Sequence, residues 1–293
     1  MPHAVSEGVR LHFEEAGSGV PILFLHEFAG DHRSWQNQMR HLSRGWRCIT
    51  FSNRGYPGSD APEDEAAYGQ DIANRDAIAV LDHLNIAKAH VVGLSMGGYT
   101  ALQLAIHYPN RIIAAVAAGA GAGASRVHRE AYLKETLANA QRMASAGRID
   151  AEGAGRGPTR VQLLGKDPIG WRISVDHMAE HDAQASAKTM RRIQGGRPSL
   201  YDLEDKLKAV TAPVLLMIGD EDEPCLDVNL FMKRLMPTAQ LMVLPGSGHV
   251  INHEEPDLFN LMVERFLGAV DRGTWRPRDP RAAPKVPPRE IGP

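Results

Sequence analysis

A serine among glycines, Gly93-Leu94-Ser95-Met96-Gly97-Gly98, stands where a short apolar run gives way to a helical pattern. The run before it, 90–94, has the character of a buried strand. Residues 99–108 after it carry apolar side chains at three- and four-residue spacing. A chain that passes from strand to helix in so few residues must bend sharply. Side chains at Gly93 or Gly97 would collide with the neighbouring strand or helix, so small residues are required there. The bend forces Ser95 into a strained backbone conformation with its hydroxyl above the sheet. It also sets that hydroxyl beside a helix N-terminus, whose free N–H groups favour developing negative charge. The feature demands a fold in which a buried strand feeds directly into a helix, and it marks Ser95 as a candidate nucleophile.

The same alternation recurs along the chain. Apolar runs at 22–25, 48–51, 90–94, 112–118, 214–219 and 241–244 have the length of buried strands and are bounded by Gly, Pro or Asp. Helical patterns such as 71–84 and 99–108 lie between them. This predicts an α/β fold with a doubly wound, mostly parallel sheet. Segment 9–15 alternates apolar and polar residues and is expected to form an antiparallel edge hairpin with the segment C-terminal to it. The rhythm stops between 119 and 210, where helical patterns at 126–146, 171–180 and 183–193 are separated by Gly153, Gly155 and Gly157. A strand pattern resumes at 214, so this stretch reads as a helical cap inserted between two late strands. The expected organisation is a core of residues 1–119 and 211–271, a cap of residues 120–210, and a Pro/Arg-rich tail over 272–293. Alone, that tail would be extended or disordered.

Composition narrows function by exclusion. Hydrophobic residues at 43%, charged residues at 23% and a formal net charge of -2 describe an ordinary globular chain. They give no electrostatic footprint for nucleic acid or an anionic membrane as partner. No apolar run approaches the ~20 residues that span a bilayer. The first residues lack the apolar core of a signal peptide, so a cytoplasmic location is expected. Cys48 and Cys225 fall in no catalytic or metal pattern and read as free thiols.

Residues able to work with Ser95 sit at the ends of other runs. Run 22–25 leads into His26-Glu27-Phe28-Ala29-Gly30. The backbone N–H of Phe28 and that of Met96, next to Ser95, are the expected oxyanion donors. His26 reads as a brace for this loop. Run 214–219 ends in Asp220-Glu221-Asp222-Glu223. Asp222 is assigned as the orienting acid on its spacing from Gly219. Asp220 is the alternative, and Glu221 and Glu223 are read as solvated. Run 241–244 is followed by Pro245-Gly246-Ser247-Gly248-His249, a flexible loop able to carry an imidazole over a serine. Among thirteen histidines, His249 follows the last strand and is the expected base.

With these residues placed, the chain resembles the α/β-hydrolase fold superfamily over roughly residues 9 to 270, and is similar to its small bacterial esterases, lactonases, perhydrolases and C–C bond hydrolases. The resemblance rests on His26–Gly30, Arg54-Gly55-Tyr56-Pro57-Gly58-Ser59-Asp60, Gly93–Gly98, Gly219–Asp222 with Pro224, and Gly248-His249 with Glu255-Pro256. The order Ser95, Asp222, His249 is that of the fold's triads. The resemblance implies that the insertion covers the active site and sets specificity. Two positions depart from the family's pattern. Glu27 replaces the usual Gly after His26, and Ser52 stands where Asp is common. Glu27 either alters which substrates are accepted or points to solvent, and solvent is the preferred reading. The elbow serine disfavours relatives that use an aspartate nucleophile.

Other signals are set aside. His177-Met178-Ala179-Glu180-His181 matches a zinc-protease pattern but offers no third ligand and reads as a polar cap helix. Residues 119–124, Gly-Ala-Gly-Ala-Gly-Ala, loosely fit a dinucleotide fingerprint but follow a late strand and lead into the cap. No metal or organic cofactor is expected. The expected activity is hydrolysis of a small carboxylic ester or lactone through an acyl-enzyme. A C–C bond hydrolase or cofactor-free perhydrolase on the same triad is the alternative, and a ligand-binding receptor that keeps a hydrolase shell is the rival from another class. The partner is a small-molecule substrate, with Trp171 and Met178 of the cap, and Glu27, as candidate contacts. The sequence is compatible with a homo-oligomer.

Overall fold

The apolar runs form strands because alternate residues face opposite ways and both faces are covered. In the computed structural model, which describes residues 2–282, Ile22 and Phe24 join one buried cluster while Leu23 and Leu25 join the other. The strands are β1 (His3–Ser6), β2 (Val9–Ala16), β3 (Pro21–Leu25), β4 (Arg47–Phe51), β5 (Ala89–Leu94), β6 (Ile112–Ala118), β7 (Val214–Gly219) and β8 (Ala239–Leu244). They make one eight-stranded sheet in the order β1-β2-β4-β3-β5-β6-β7-β8. β2 pairs antiparallel with both β1 and β4, and the remaining pairs are parallel. Central β5 and β7 are buried at every residue, which is why they read as unbroken apolar runs.

Segment 9–15 corrects one expectation. It does form an antiparallel strand, but its hairpin partner is β1, which precedes it, and β1 rather than β2 is the edge. The β1 stretch, His-Ala-Val-Ser, has too little apolar pattern to announce itself.

Helices cover both faces. They are α1 (Gln36–Leu42), α2 (Gln70–His83), α3 (Met96–His107), α4 (Arg129–Ala146), α5 (Ala151–Gly155), α6 (Val161–Lys166), α7 (Pro168–Ala179), α8 (Ala183–Thr189), α9 (Glu204–Lys208), α10 (Glu223–Leu235), α11 (Ile251–Glu254) and α12 (Pro256–Asp271). On α12, Phe259, Val263, Phe266 and Leu267 follow the helical period into the core. Between β6 and β7 the described chain is helical and irregular, with α4 to α9 lying there. Gly153 and Gly155 do not separate helices as expected. They lie within α5, whose N-terminus is capped by the Asp150 carboxylate accepting from Gly153 N at 3.0 Å. Past α12 the first part of the tail lies along the body, with Trp275 packed on the cluster that holds Ile22 and Phe24, and Arg278 N donating to Pro237 O at 2.9 Å. Residues 283–293 of that tail lie outside the described residues. No helix among the described residues is long and apolar enough to cross a membrane.

The loop after β4 is tied down by charge. Arg54 donates from Nε to Asp76 of α2 at 2.7 Å and from Nη2 at 2.5 Å, with both side chains buried. A buried bidentate pair of this kind becomes costly when one partner is lost. Asp76→Ala is expected to lower unfolding free energy by about 3–5 kcal/mol in urea titration. Glu135→Ala, which breaks the exposed pair with Arg142, is expected to change it by less than about 1 kcal/mol.

Candidate active site

Backbone contact distances show why the strand–turn–helix can exist. A Cβ on Gly97 would stand 1.9 Å from Leu25 O, and one on Gly93 would stand 2.1 Å from Gly97 O. With glycine at both places α3 packs directly on β3 and β5. Ser95 between them adopts φ 54°, ψ -109°, a conformation a side chain rarely takes. Its N–H bonds Ala118 O at 2.8 Å, holding the turn against the end of β6. The Ser95 hydroxyl makes no hydrogen bond among the described residues. A nucleophile's contact with its base commonly tightens only as substrate binds.

The expected acid and base, Asp222 and His249, follow β7 and β8. Of the four carboxylates after β7 only Asp222 is buried. Its Oδ2 lies 2.7 Å from His249 Nδ1. Asp220 instead accepts from Ser247 N at 3.1 Å, and Glu221 accepts from Gln162 of the cap. Gly219 makes the approach possible, since a Cβ there would stand 2.2 Å from both Ser247 O and Gly248 O. Gly119, the residue after β6, brings Ser95 and the imidazole to one place. Its Cβ position is 3.3 Å from His249 Cε1, and Ser95 is hydrogen-bonded to the residue before it.

The His249 main chain is clamped on both sides. Glu254, buried on α11, accepts from Gly248 N at 2.8 Å and from Val250 N at 3.1 Å, and His249 N donates to Thr159 O of the cap at 2.8 Å. Sequence reasoning misses Glu254 and Thr159. Neither has a motif, and their roles exist only once the loop has closed on them.

The oxyanion loop is equally constrained. His26 Nε2 accepts from Asn53 N at 3.0 Å, so its Nδ1 carries the proton and donates to Glu27 O at 2.7 Å. Burial pushes the His26 pKa down to about 4, which keeps this tautomer neutral. Tyr56 donates its hydroxyl to Phe28 O at 2.9 Å. The carbonyls on both sides of the Phe28 N–H are therefore pinned, and the N–H has little freedom to turn. Neither Phe28 N nor Met96 N donates to a protein acceptor among the described residues.

Glu27 and Trp171 differ from expectation. Glu27 does not point to solvent and is 4% exposed. Its carboxylate is held by Arg160 of the cap, which donates from Nη1 at 2.9 Å and also from Nη2. Burial alone would raise the Glu27 pKa, but the guanidinium overrides it and holds it down to about 2. Its partner lies too far along the chain for any spacing rule to pair them. Trp171 stands apart from the cavity bordered by Phe28 and Met178. Its ring is buried, donates from Nε1 to Gly155 O at 2.8 Å, and lies under the guanidinium groups of Arg156 and Arg172. Met178 does line a cavity, of about 990 Å³, between cap and core. Phe28 and Ala29 of the oxyanion loop, Arg160, Met143 and Met190 also border it. A smaller cavity of about 260 Å³, bordered by Glu27, Arg33, His177 and His253, lies on the far side of the ion pair. His177 and His181 part company here, since His181 turns its ring onto Tyr56 with Nε2 3.5 Å from Asp31 Oδ2. Cys48 and Cys225 are free and buried, and burial pushes the Cys48 thiol up to about 12.

A sequence profile described as the alpha/beta hydrolase fold matches residues 20–256. The chain belongs to the α/β-hydrolase fold family. Within that family it is 27% identical to a 2-hydroxy-6-oxononadienedioate/2-hydroxy-6-oxononatrienedioate hydrolase of Burkholderia vietnamiensis, over 88% of this chain and 91% of the relative. It is 26% identical to a 3-oxoadipate enol-lactonase of Acinetobacter baylyi, over 85% and 89%. Among solved structures Est816, described as an N-acyl homoserine lactone degrading enzyme, is similar at TM-score 0.75 and 25% identity, over 90% of this chain and 100% of that one. By name these relatives are a dienedioate/trienedioate hydrolase, an enol-lactonase and a lactone-degrading enzyme.

Electrostatics at the base give a direct check on the geometry. Burial disfavours the His249 imidazolium, but the Asp222 carboxylate outweighs it and lifts the pKa above the ordinary 6.5. In Asp222→Asn the carboxylate is gone while burial and the nearby Arg160 charge remain. The midpoint of the His249 ring signals in an NMR pH titration is expected above 6.5 in the parent and below it in Asp222→Asn.

Proposed function

We propose that the chain is a serine hydrolase that cleaves a small carboxylic ester or lactone through an acyl-enzyme. One observation carries the reading. The 2.7 Å Asp222–His249 bond stands beside a serine held in a positive-φ turn, next to the unengaged N–H groups of Phe28 and Met96. In this mechanism Ser95 Oγ attacks the carbonyl carbon while His249 Nε2 takes its proton. The oxyanion is held by the two N–H groups, each worth roughly 3 kcal/mol to such a transition state. The C–O bond to the alcohol then breaks and His249 returns the proton to that oxygen. In a lactone the alcohol stays tethered to the acyl group. Water gives its proton to His249, attacks the acyl carbon and expels Ser95, which regains a proton. Asp222 holds the His249 ring in place and fixes its tautomer.

The cap, over residues 120–210, sets specificity in this reading, and the cavity bordered by Met178 and Phe28 receives the acyl group. Hydrolysis of a C–C bond on the same triad is the second reading, and similarity to a hydrolase of a 2-hydroxy-6-oxo dienedioate favours it. The ion pair weighs against it. Arg160 is a half-buried cation at the cavity edge, but the buried Glu27 carboxylate already neutralises it, so a substrate carboxylate would have to displace an internal one.

A fluorophosphonate probe tests the mechanism. Peptide mapping is expected to find the adduct on Ser95, absent in Ser95→Ala and formed far more slowly in His249→Ala. A folded protein that stays unlabelled while a small probe fills the cavity would end the serine-hydrolase reading. Substrate charge is set by the pair. In Glu27→Gln the kcat/KM for a half-ester carrying a free carboxylate is expected to rise about tenfold relative to a neutral ester of the same size, as expected of one newly available charge-assisted hydrogen bond. Arg160→Gln is expected to move the ratio the other way.

A further inference from the structure

Away from the triad, a buried histidine has no partner. His12 on β2 is 1% exposed, and neither of its ring nitrogens has a hydrogen-bond partner among the described residues. An unsatisfied buried imidazole is costly and calls for an explanation. The ring cannot readily swing away to find a partner. Gly58 lies flat against it, and a Cβ there would stand 2.9 Å from His12 Cβ, Cγ and Cδ2. Two other groups converge on the same point. Glu14, two residues along the strand and hence on the same face, brings Oε1 to 3.7 Å from His12 Nε2. The same carboxylate oxygen is 3.7 Å from Nε2 of His32, which opens the short helix His32–Trp35 after β3.

The second residue that departs from the family pattern completes the arrangement. His32 Nδ1 is 2.9 Å from Ser52 Oγ. With the proton on Nδ1 and donated to that hydroxyl, Nε2 presents its lone pair toward Glu14 and His12. This is how a ligating imidazole is commonly oriented by a group behind it.

We propose that His12, Glu14 and His32 form a binding site for a divalent transition ion of the zinc type, with solvent completing its coordination. The three ligand atoms lie within 4.8 Å of one another. Around a tetrahedral zinc with bonds of about 2.0–2.1 Å, neighbouring ligand atoms are about 3.3 Å apart, so the Glu14 oxygen at 3.7 Å from each imidazole is within a few tenths of an ångström of that spacing. Two imidazoles and one carboxylate suit zinc, nickel or cobalt. Calcium and magnesium prefer oxygen-rich sets. Glu14 is exposed, which leaves a path for the ion and room for water. The site shares no residue with the triad and supplies no step to hydrolysis. It would bind the antiparallel edge of the sheet to the segment that follows β3. Positions 12, 14 and 32 form no ligand motif, so only the fold brings the three together.

The test uses the full chain without an affinity tag, stripped with a chelator and titrated with Zn²⁺ against a chromophoric competitor. One equivalent is expected to bind, and Co²⁺ in its place is expected to show visible bands of low-symmetry nitrogen and oxygen coordination. Glu14→Gln, an exposed change that leaves the core intact, is expected to weaken Zn²⁺ binding by at least about tenfold. His12→Gln is expected to do the same, and His177→Ala on the cap to bind as the parent does. Absence of stoichiometric Zn²⁺ binding by the parent would overturn the proposal and leave water as the occupant. So would binding that survives both Glu14→Gln and His12→Gln.

Discussion

The backbone of Gly97 runs so close to the Leu25 carbonyl that no side chain fits between them. Much of the site follows from that approach. It lets α3 lie directly on β3 and β5, places the Ser95 turn at the level of the oxyanion loop, and brings the N-terminus of α3 beside the Phe28 N–H. The strain at Ser95, of order 1–3 kcal/mol for such a conformation, is sustained because the packing around it leaves no relaxed alternative. Gly219 plays the matching part on the other side of the sheet. It lets the loop bearing His249 fold down onto the end of β7, where Asp222 meets it.

Preorganisation extends beyond the residues that would touch a substrate. His26, with its proton fixed on Nδ1, and Tyr56, reaching from the loop after β4, hold the carbonyls on either side of the Phe28 N–H. Tyr56 is in turn positioned by a loop that the Arg54–Asp76 pair fastens to α2. A stabilising contact in the core thus also fixes a dipole at the site, in the sense that oriented N–H groups are effective when they need not reorganise.

The central sheet is legible in the sequence because β5, β6 and β7 are covered on both faces and so read as continuous apolar runs. β1 is not, since its place depends on hydrogen bonds offered by β2 and little on its own side chains. Helix α3 begins at Met96, earlier than periodicity places it, because Gly97 and Gly98 are poor helix formers retained for clearance. Asp222 and His249, 2.7 Å apart in the fold, can be paired from the sequence because each follows a strand end. Glu27, Arg160, Thr159 and Glu254 cannot. Glu27, Arg160 and Thr159 act through pairings across the cap–core boundary and Glu254 through a loop that closes on it, and no motif encodes either. Trp171 misleads for a related reason. A large aromatic in a cap suggests a pocket wall, yet its size is used to hold α5 and α7 together.

The bond from His249 N to Thr159 O means that the insertion is more than a cover. Part of the main-chain support for this imidazole comes from the carbonyl of a residue in the insertion and not from its side chain. A carbonyl contributes whatever residue carries it, so this support is indifferent to substitution and sensitive to length. Adding or deleting one residue just before the Arg160–Glu27 tether would move the Thr159 carbonyl off the His249 loop. Lineages of this protein should accordingly vary freely in amino-acid identity there while keeping the spacing fixed. Changes in chain length would collect in the exposed turns around 125–128 and 147–149, which carry none of these ties.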